Sequence, residues 1–456
     1  MTALTSIAIV TALSLLPVLW EHWKYPETMM VGRKKWYPES CFILLLVACI
    51  PVFVPSCSKD DDPIEQERPL PEENIRYEIL KEYTFNDLKN LENDLKREYV
   101  GNALNFLSIA GNKAKYEGDV QIRAYKVMLE SESTDGSGAK ANLSGVLIVP
   151  PLEDGRKYRQ VIAPPYTYVI KDEAPTLRVA GNNLEPNLLF WLLEAYEYGY
   201  AVIIPDYPGF GDSYGQCYIP YVEKEPMVRT TIEYIKAAQY VLAKEKYEQK
   251  DGFIISGYSL GAYVSLQLAR EFETNDSYKD MIVDFLITGG SPCNLFQEAS
   301  LIRVSGSMPQ SYLFPLALLG YKKNGYPHLV MGDYLNEPYA SQSAVYLDGQ
   351  HDDFGDFFPK ETQTLFTEAF LKNENMEEIN KILENNSVKP WINRCKFVMT
   401  HGEDDETVYY AQAKDFASRH IEKGGSVSFN TTSGTHTSAG IWFFLKLYVE
   451  LKSFDR

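Results

Sequence analysis

At 456 residues the chain exceeds the usual single domain, although one α/β domain with insertions reaches this size. Hydrophobic residues make up 45% and charged residues 23%, ordinary for a globular protein, so most of the chain is expected to fold. A formal charge of −18 argues against nucleic acid or an anionic membrane surface as a partner.

Residues 1–57 read as a targeting segment. Apolar runs occupy 3–20 and 41–55; the second follows Arg33-Lys34-Lys35 and ends at Val54-Pro55-Ser56-Cys57. A basic region, a short apolar stretch and a small residue before the cut describe a secretory signal. The stretch is short for a bilayer-spanning anchor, the competing reading. Met29 or Met30 is a candidate start. The segment ending at Cys57 resembles a bacterial lipoprotein box, with Val54 and Pro55 where Leu is more usual. That resemblance implies a lipid on Cys57 and a place in the Gram-negative cell envelope, at the outer membrane. The run Lys59-Asp60-Asp61-Asp62 resembles a surface-export tether, and 58–75 is acidic, polar and proline-bearing as a tether would be. Membrane contact is expected through the anchor alone. Cys217, Cys293 and Cys395 are too few and scattered for a disulfide framework, and no CxxC pair suggests a thiolate zinc site.

The body is expected to comprise a first core part (76–291), an insertion (292–390) and a second core part (391–456). Leu88, Leu91 and Leu95 give 77–116 a helical spacing. Residues 120–129 and 143–149 alternate as antiparallel strands do. Short apolar, β-branched runs at 158–163, 201–205, 253–256, 283–288 and 396–400 suit strands buried on both faces of a parallel sheet. Helical stretches at 227–246 and 262–272 lie between them, so the order reads as α/β, a doubly wound and mostly parallel sheet. Residues 292–390 interrupt the alternation, with helical pieces at 312–319 and 361–371. They read as a mainly helical cap over the active site, against a packed subdomain without catalytic relevance.

Two GxSxG sequences occur, Gly211-Asp212-Ser213-Tyr214-Gly215 and Gly257-Tyr258-Ser259-Leu260-Gly261. A nucleophile elbow needs a strand immediately before it and a helix immediately after. Ser259 meets both conditions. Ser213 meets neither and reads as a loop.

A serine hydroxyl needs a base to take its proton, and the base needs a partner to orient it. Of six histidines, His22 precedes the mature chain, and His328 and His351 fall in the insertion. His401 directly follows a strand and precedes the acid candidates. His420 ends the helical run 411–420, where a cation at a helix C-terminus is a sufficient explanation. His436 lies in a Ser-Gly-Thr-His loop between the strand 426–431 and a final helix at 438–452, where a general base belongs. The strand 396–400 runs into His401-Gly402-Glu403-Asp404-Asp405-Glu406-Thr407-Val408, whose carboxylates supply the acid.

That last segment is similar to the HGxxDxxV acid loop of the α/β-hydrolase superfamily. The resemblance implies Asp405 as the acid, with Asp404 the alternative. Asp206-Tyr207-Pro208-Gly209-Phe210-Gly211-Asp212-Ser213 resembles a structural loop of the same superfamily, and the PDYxGFG segment is similar to secreted, cap-bearing lipases. An oxyanion hole is then expected from the amide of Leu260 and from Tyr166 or Thr167, because Pro164 and Pro165 have no N–H. The implied activity is carboxylic ester hydrolysis through an acyl-enzyme on a small-molecule, lipid or glycan ester, and the chemistry needs no metal or organic cofactor. The alternatives are a peptidase of the same fold and a non-catalytic binding lipoprotein.

Overall fold

The computed structural model describes residues 71–95 and 113–454, together with two short strands at Met30–Val31 and Lys34–Lys35. Expectations for Cys57, the apolar runs and the tether as far as residue 70 lie outside the described residues. The chain divides into two compact units, Met1–Asp62 and Pro63–Arg456. In the first, the two short strands pair antiparallel.

The second unit is built on nine strands. These are β1 (Ile75–Thr84), β2 (Val120–Glu132), β3 (Lys140–Val149), β4 (Lys157–Ile162), β5 (Ala201–Pro205), β6 (Glu248–Tyr258), β7 (Val283–Gly289), β8 (Lys396–Gly402) and β9 (Ser428–Thr432). Their order across the sheet is β9-β8-β7-β6-β4-β5-β3-β2-β1. The pairs from β5 through β4 to β9 are parallel, whereas β1, β2 and β3 join antiparallel. The parallel strands are apolar on both faces because helices cover both, and every residue of β5 is buried.

On one face lie α1 (Phe85–Leu95), α2 (Pro175–Gly181), α3 (Pro186–Tyr198) and α11 (His436–Phe454), around a core that includes Trp191, Phe190 and Phe443. The other face carries α4 (Lys224–Lys244) and α5 (Leu260–Thr274), around Tyr234, Tyr263 and Phe272. Between β7 and β8 run α6 (Leu295–Ser305), α7 (Leu313–Lys323), α8 (Tyr339–Tyr346) and α9 (Glu377–Asn386), joined by shorter helical turns. This insertion is fastened to the core by tyrosines: Tyr321 donates to Val222 O at 3.2 Å, and Tyr263 donates to Asn386 O at 2.8 Å. Between β8 and β9 lies α10 (Tyr410–Glu422).

Three expectations need correction. The helix expected from residue 77 begins only at Phe85, and Ile75–Thr84 is a strand. Thr84 and Asp87 mark the change, each side chain accepting from the other's backbone amide as in a capping box. The helix expected over 361–371 is two turns, Thr362–Leu365 and Glu368–Lys372. Phe366 is extended between them and bridges to Leu335, and the Thr367 hydroxyl caps the second turn by accepting from Phe370 N. His436 is not in a loop but opens α11, because Thr435 O accepts from Ala439 N at 2.8 Å and the helix starts two residues earlier than expected.

Candidate active site

Strand β6 enters the elbow fully buried and α5 leaves it directly, with Ser259 at the apex. Ser259 has φ 55°, a conformation that costs a non-glycine residue of order 1–3 kcal/mol and persists only where the surroundings impose it. The surroundings here are backbone bonds. Ser259 N donates to Gly289 O at 2.9 Å, and Ser259 O accepts from Ala262 N and Tyr263 N. The two glycines of the motif are needed for different reasons. A Cβ on Gly257 would lie 2.3 Å from the Gly261 carbonyl, inside the turn itself. A Cβ on Gly261 would lie 2.2 Å from Pro164 O, in the loop that follows β4.

The structure brings Ser259, His436 and Asp405 together at the carboxyl ends of β6, β9 and β8. His436 Nε2 is 2.9 Å from Ser259 Oγ, and His436 Nδ1 is 2.7 Å from Asp405 Oδ2. An ionised carboxylate only accepts, so Nδ1 carries the proton and Nε2 is left to accept from the serine hydroxyl. All three are buried, with Ser259 8% exposed, so water has little access to the line of bonds.

Asp405 is fixed from every side. Its Oδ1 accepts from Thr407 N at 3.0 Å and Val408 N at 2.9 Å. Its Oδ2 faces a second histidine as well, His401, at 3.4 Å. Burial pushes the carboxyl pKa up, but the hydrogen bonds from His401 and His436 outweigh burial and hold it well below the usual range. Asp404, the alternative acid, is exposed and accepts from Gly434 N at 3.2 Å, bracing the turn ahead of His436.

The other candidates resolve as follows. Ser213 is buried and staples its own loop, donating to Phe210 O at 2.7 Å and accepting from Gly209 N at 3.0 Å. Asp206 accepts from Ser144 and Thr176, tying β3 and α2 together. His328 and His351 pair with Glu378 and Asp348 away from the triad. His420 is no cation at a helix end. It is buried among Trp391, Phe397 and Phe416, and burial lowers its pKa to about 4. Leu260 is the first residue of α5, where amides have no intrahelical acceptor. The Pro164-Pro165-Tyr166-Thr167 loop lies against that helix start, held by Tyr207 donating to Pro165 O, by Tyr166 donating to Glu185 and by Thr167 bonding Tyr221.

Two further residues support the acid loop. His401 lies inside β8, donating Nε2–H to Val408 O at 2.8 Å while facing Asp405. Glu298 of α6 is buried against the acid loop, both its oxygens 3.1 Å from Tyr409 N, and burial pushes its carboxyl up. The histidine of the HGxxD segment is a visible signal for the first. The second depends on how the insertion packs, and one sequence carries no trace of it.

A cavity of ≈ 230 Å³ lies between the insertion and the Gly209–Ile219 segment, lined by Val169, Phe210, Tyr218, Ile219, Leu316 and Leu347 among others. No triad side chain lines it. Among the described residues no group of three His, Cys, Asp or Glu side chains is placed to hold a metal ion, and no helix is long and apolar enough to cross a membrane.

No protein-family model and no curated protein matches the sequence. Solved structures do. A hydrolase candidate from Legionella pneumophila is similar with a TM-score of 0.70 at 18% identity, over 84% of this chain and 98% of that one. The rice cell wall degrading esterase LipA from Xanthomonas oryzae aligns with a TM-score of 0.65 at 19% identity, again over 84% and 98%. Candida antarctica lipase A in its closed state aligns with a TM-score of 0.57 at 13% identity, over 84% and 82%. The fold is that of the α/β-hydrolases.

Proposed function

We propose that the protein is a serine hydrolase that cleaves carboxylic esters through an acyl-enzyme on Ser259. The observation that carries the reading is the unbroken line Ser259–His436–Asp405 behind a strained elbow. His436 takes the serine proton as Oγ attacks the ester carbonyl, then gives it to the leaving alcohol; water attacks the acyl-enzyme by the same route. Asp405 holds the ring with Nε2 towards the serine and stabilises the imidazolium that forms. The amide of Leu260 and that of Tyr166 or Thr167 receive the oxyanion. The solved relatives with named activities, an esterase and a lipase, support esters over peptides as substrates. The insertion serves as a cap in this reading, and its many Tyr and Phe side chains suit an ester with an apolar acyl or aryl part.

Turnover of p-nitrophenyl esters of graded acyl length tests this. Wild type is expected to hydrolyse at least part of the series and Ser259→Ala none. Absence of turnover throughout would leave a binding protein on a hydrolase fold. For placement in the cell we propose the lipid-anchored envelope protein that the Cys57 segment suggests; palmitate labelling of the full chain, lost in Cys57→Ala, is the corresponding result.

A further inference from the structure

Tyr258, the residue before the nucleophile, ends β6 with its ring inside the fold. Its hydroxyl donates to the backbone carbonyl of His436, and its ring centroid lies 5.1 Å from that of the imidazole. Phe443 of α11 packs on the same ring at 5.4 Å. The slot holding the phenol is made of glycines. A Cβ on Gly290 would lie 2.8 Å from Tyr258 Cζ and 2.9 Å from His436 Cε1, and one on Gly289 would lie 2.9 Å from Tyr258 Cδ2. Gly440 of α11 completes it, where a Cβ would stand 3.4 Å from Tyr258 Cε1. Burial pushes the phenol pKa up, so the hydroxyl stays a donor across the working pH range.

The carbonyl of a first helical residue already has an intrahelical partner four residues on, so α11 does not need the tyrosine in order to form. What the bond adds is position. Tyr258 and Ser259 are consecutive, so one peptide joins the group that holds the base to the group the base must deprotonate. Movement of α11 along its axis would otherwise lengthen the bond between Nε2 and Oγ directly. We infer that Tyr258 is a positioning residue of the triad, its hydroxyl fixing the height of His436 over Ser259 through the His436 carbonyl. The inference rests on the serine-hydrolase reading above. It gives a role to the first variable position of this GxSxG and to the Gly289-Gly290 pair, neither of which the acyl-transfer steps themselves use.

The test is Tyr258→Phe, which keeps the ring and removes only the hydroxyl. With an ester that wild type hydrolyses, kcat is expected to fall roughly tenfold, as for one net hydrogen bond in the transition state, at unchanged KM. The second-order rate of fluorophosphonate labelling of Ser259 falls by the same factor, while the melting temperature stays close to that of wild type. Gly290→Ala, whose Cβ would stand 2.8 Å from Tyr258 Cζ, 3.0 Å from its hydroxyl oxygen and 2.9 Å from His436 Cε1, displaces the same contact and lowers kcat in the same way. A Tyr258→Phe enzyme with wild-type kcat and labelling rate would overturn the inference and leave the serine-hydrolase reading standing. A wild-type protein inert to every ester and to fluorophosphonate would overturn that reading itself.

Discussion

Gly261 lies directly against the carbonyl of Pro164, so close that a Cβ would stand 2.2 Å from that oxygen. The last glycine of the elbow motif is thus required by a neighbouring loop, the one that carries Tyr166 and Thr167. Gly261→Ala must displace either the start of α5 or that loop. Overpacking of this kind costs about 1–3 kcal/mol. The variant is expected to melt at a lower temperature and to lose at least about tenfold in kcat, since an oxyanion donor and the nucleophile separate. A lowered melting temperature with full kcat would take the loop out of the oxyanion role.

Ser213 and Ser259 occupy the same five-residue pattern with opposite expectations. Ser213→Ala leaves Gly209 N and Phe210 O without their staple, which destabilises by about 1–3 kcal/mol while ester turnover is retained. Ser259→Ala removes turnover without that loss of stability, and can gain some by relieving strain at φ 55°. Urea titration alongside an ester assay separates the two.

Asp405 and Asp404 are adjacent, yet one is buried on the base and the other is exposed on the turn before it. Asp405→Asn keeps the shape but removes the charge that selects the tautomer, and kcat is expected to fall roughly 10³–10⁴-fold. Asp404→Asn retains most of the activity. Because its histidine donors hold Asp405 well below the usual carboxyl range, it stays ionised at neutral pH. Its stabilising contribution is present above the unfolded carboxyl's pKa and is lost as pH falls through the folded one. The rate profile is therefore expected to show no break from Asp405 within the usual carboxyl range.

His420 contributes a separate pH dependence of stability. The unfolded imidazole binds a proton near pH 6.5, whereas the folded one, buried among aromatic rings, holds off until about 4. Unfolding takes up a proton in that window. Stability from this site is therefore complete above about 6.5 and declines as pH falls towards 4. His420→Gln removes the proton uptake, so its urea midpoint should drop less than that of wild type between pH 7 and pH 5. Equal drops would contradict the neutral, buried histidine.

The parallel strands were legible because burial on both faces leaves continuous β-branched runs such as Ala201–Pro205. The elbow was legible because its strand, two glycines and helix must be consecutive. Ile75–Thr84 was not, since Tyr77, Leu80 and Tyr83 fall three apart as on a helix. An edge strand buried on one face and bulged between Ile79 and Lys81 loses its strict alternation. His420 was not legible for a related reason: its helix end and Phe416 on the same helix are local, but Trp391 and Phe397 close the box from the stretch that enters β8. The same holds for Glu298 on the acid loop.

In the proposed mechanism His436 and Asp405 activate Ser259 as a nucleophile. Labelling the protein with a fluorophosphonate and mapping the adduct by peptide mass spectrometry tests it most directly. One adduct is expected, on Ser259, formed at a rate that collapses in His436→Ala. An adduct on Ser213, or a Ser259 that labels equally well without His436, would contradict it.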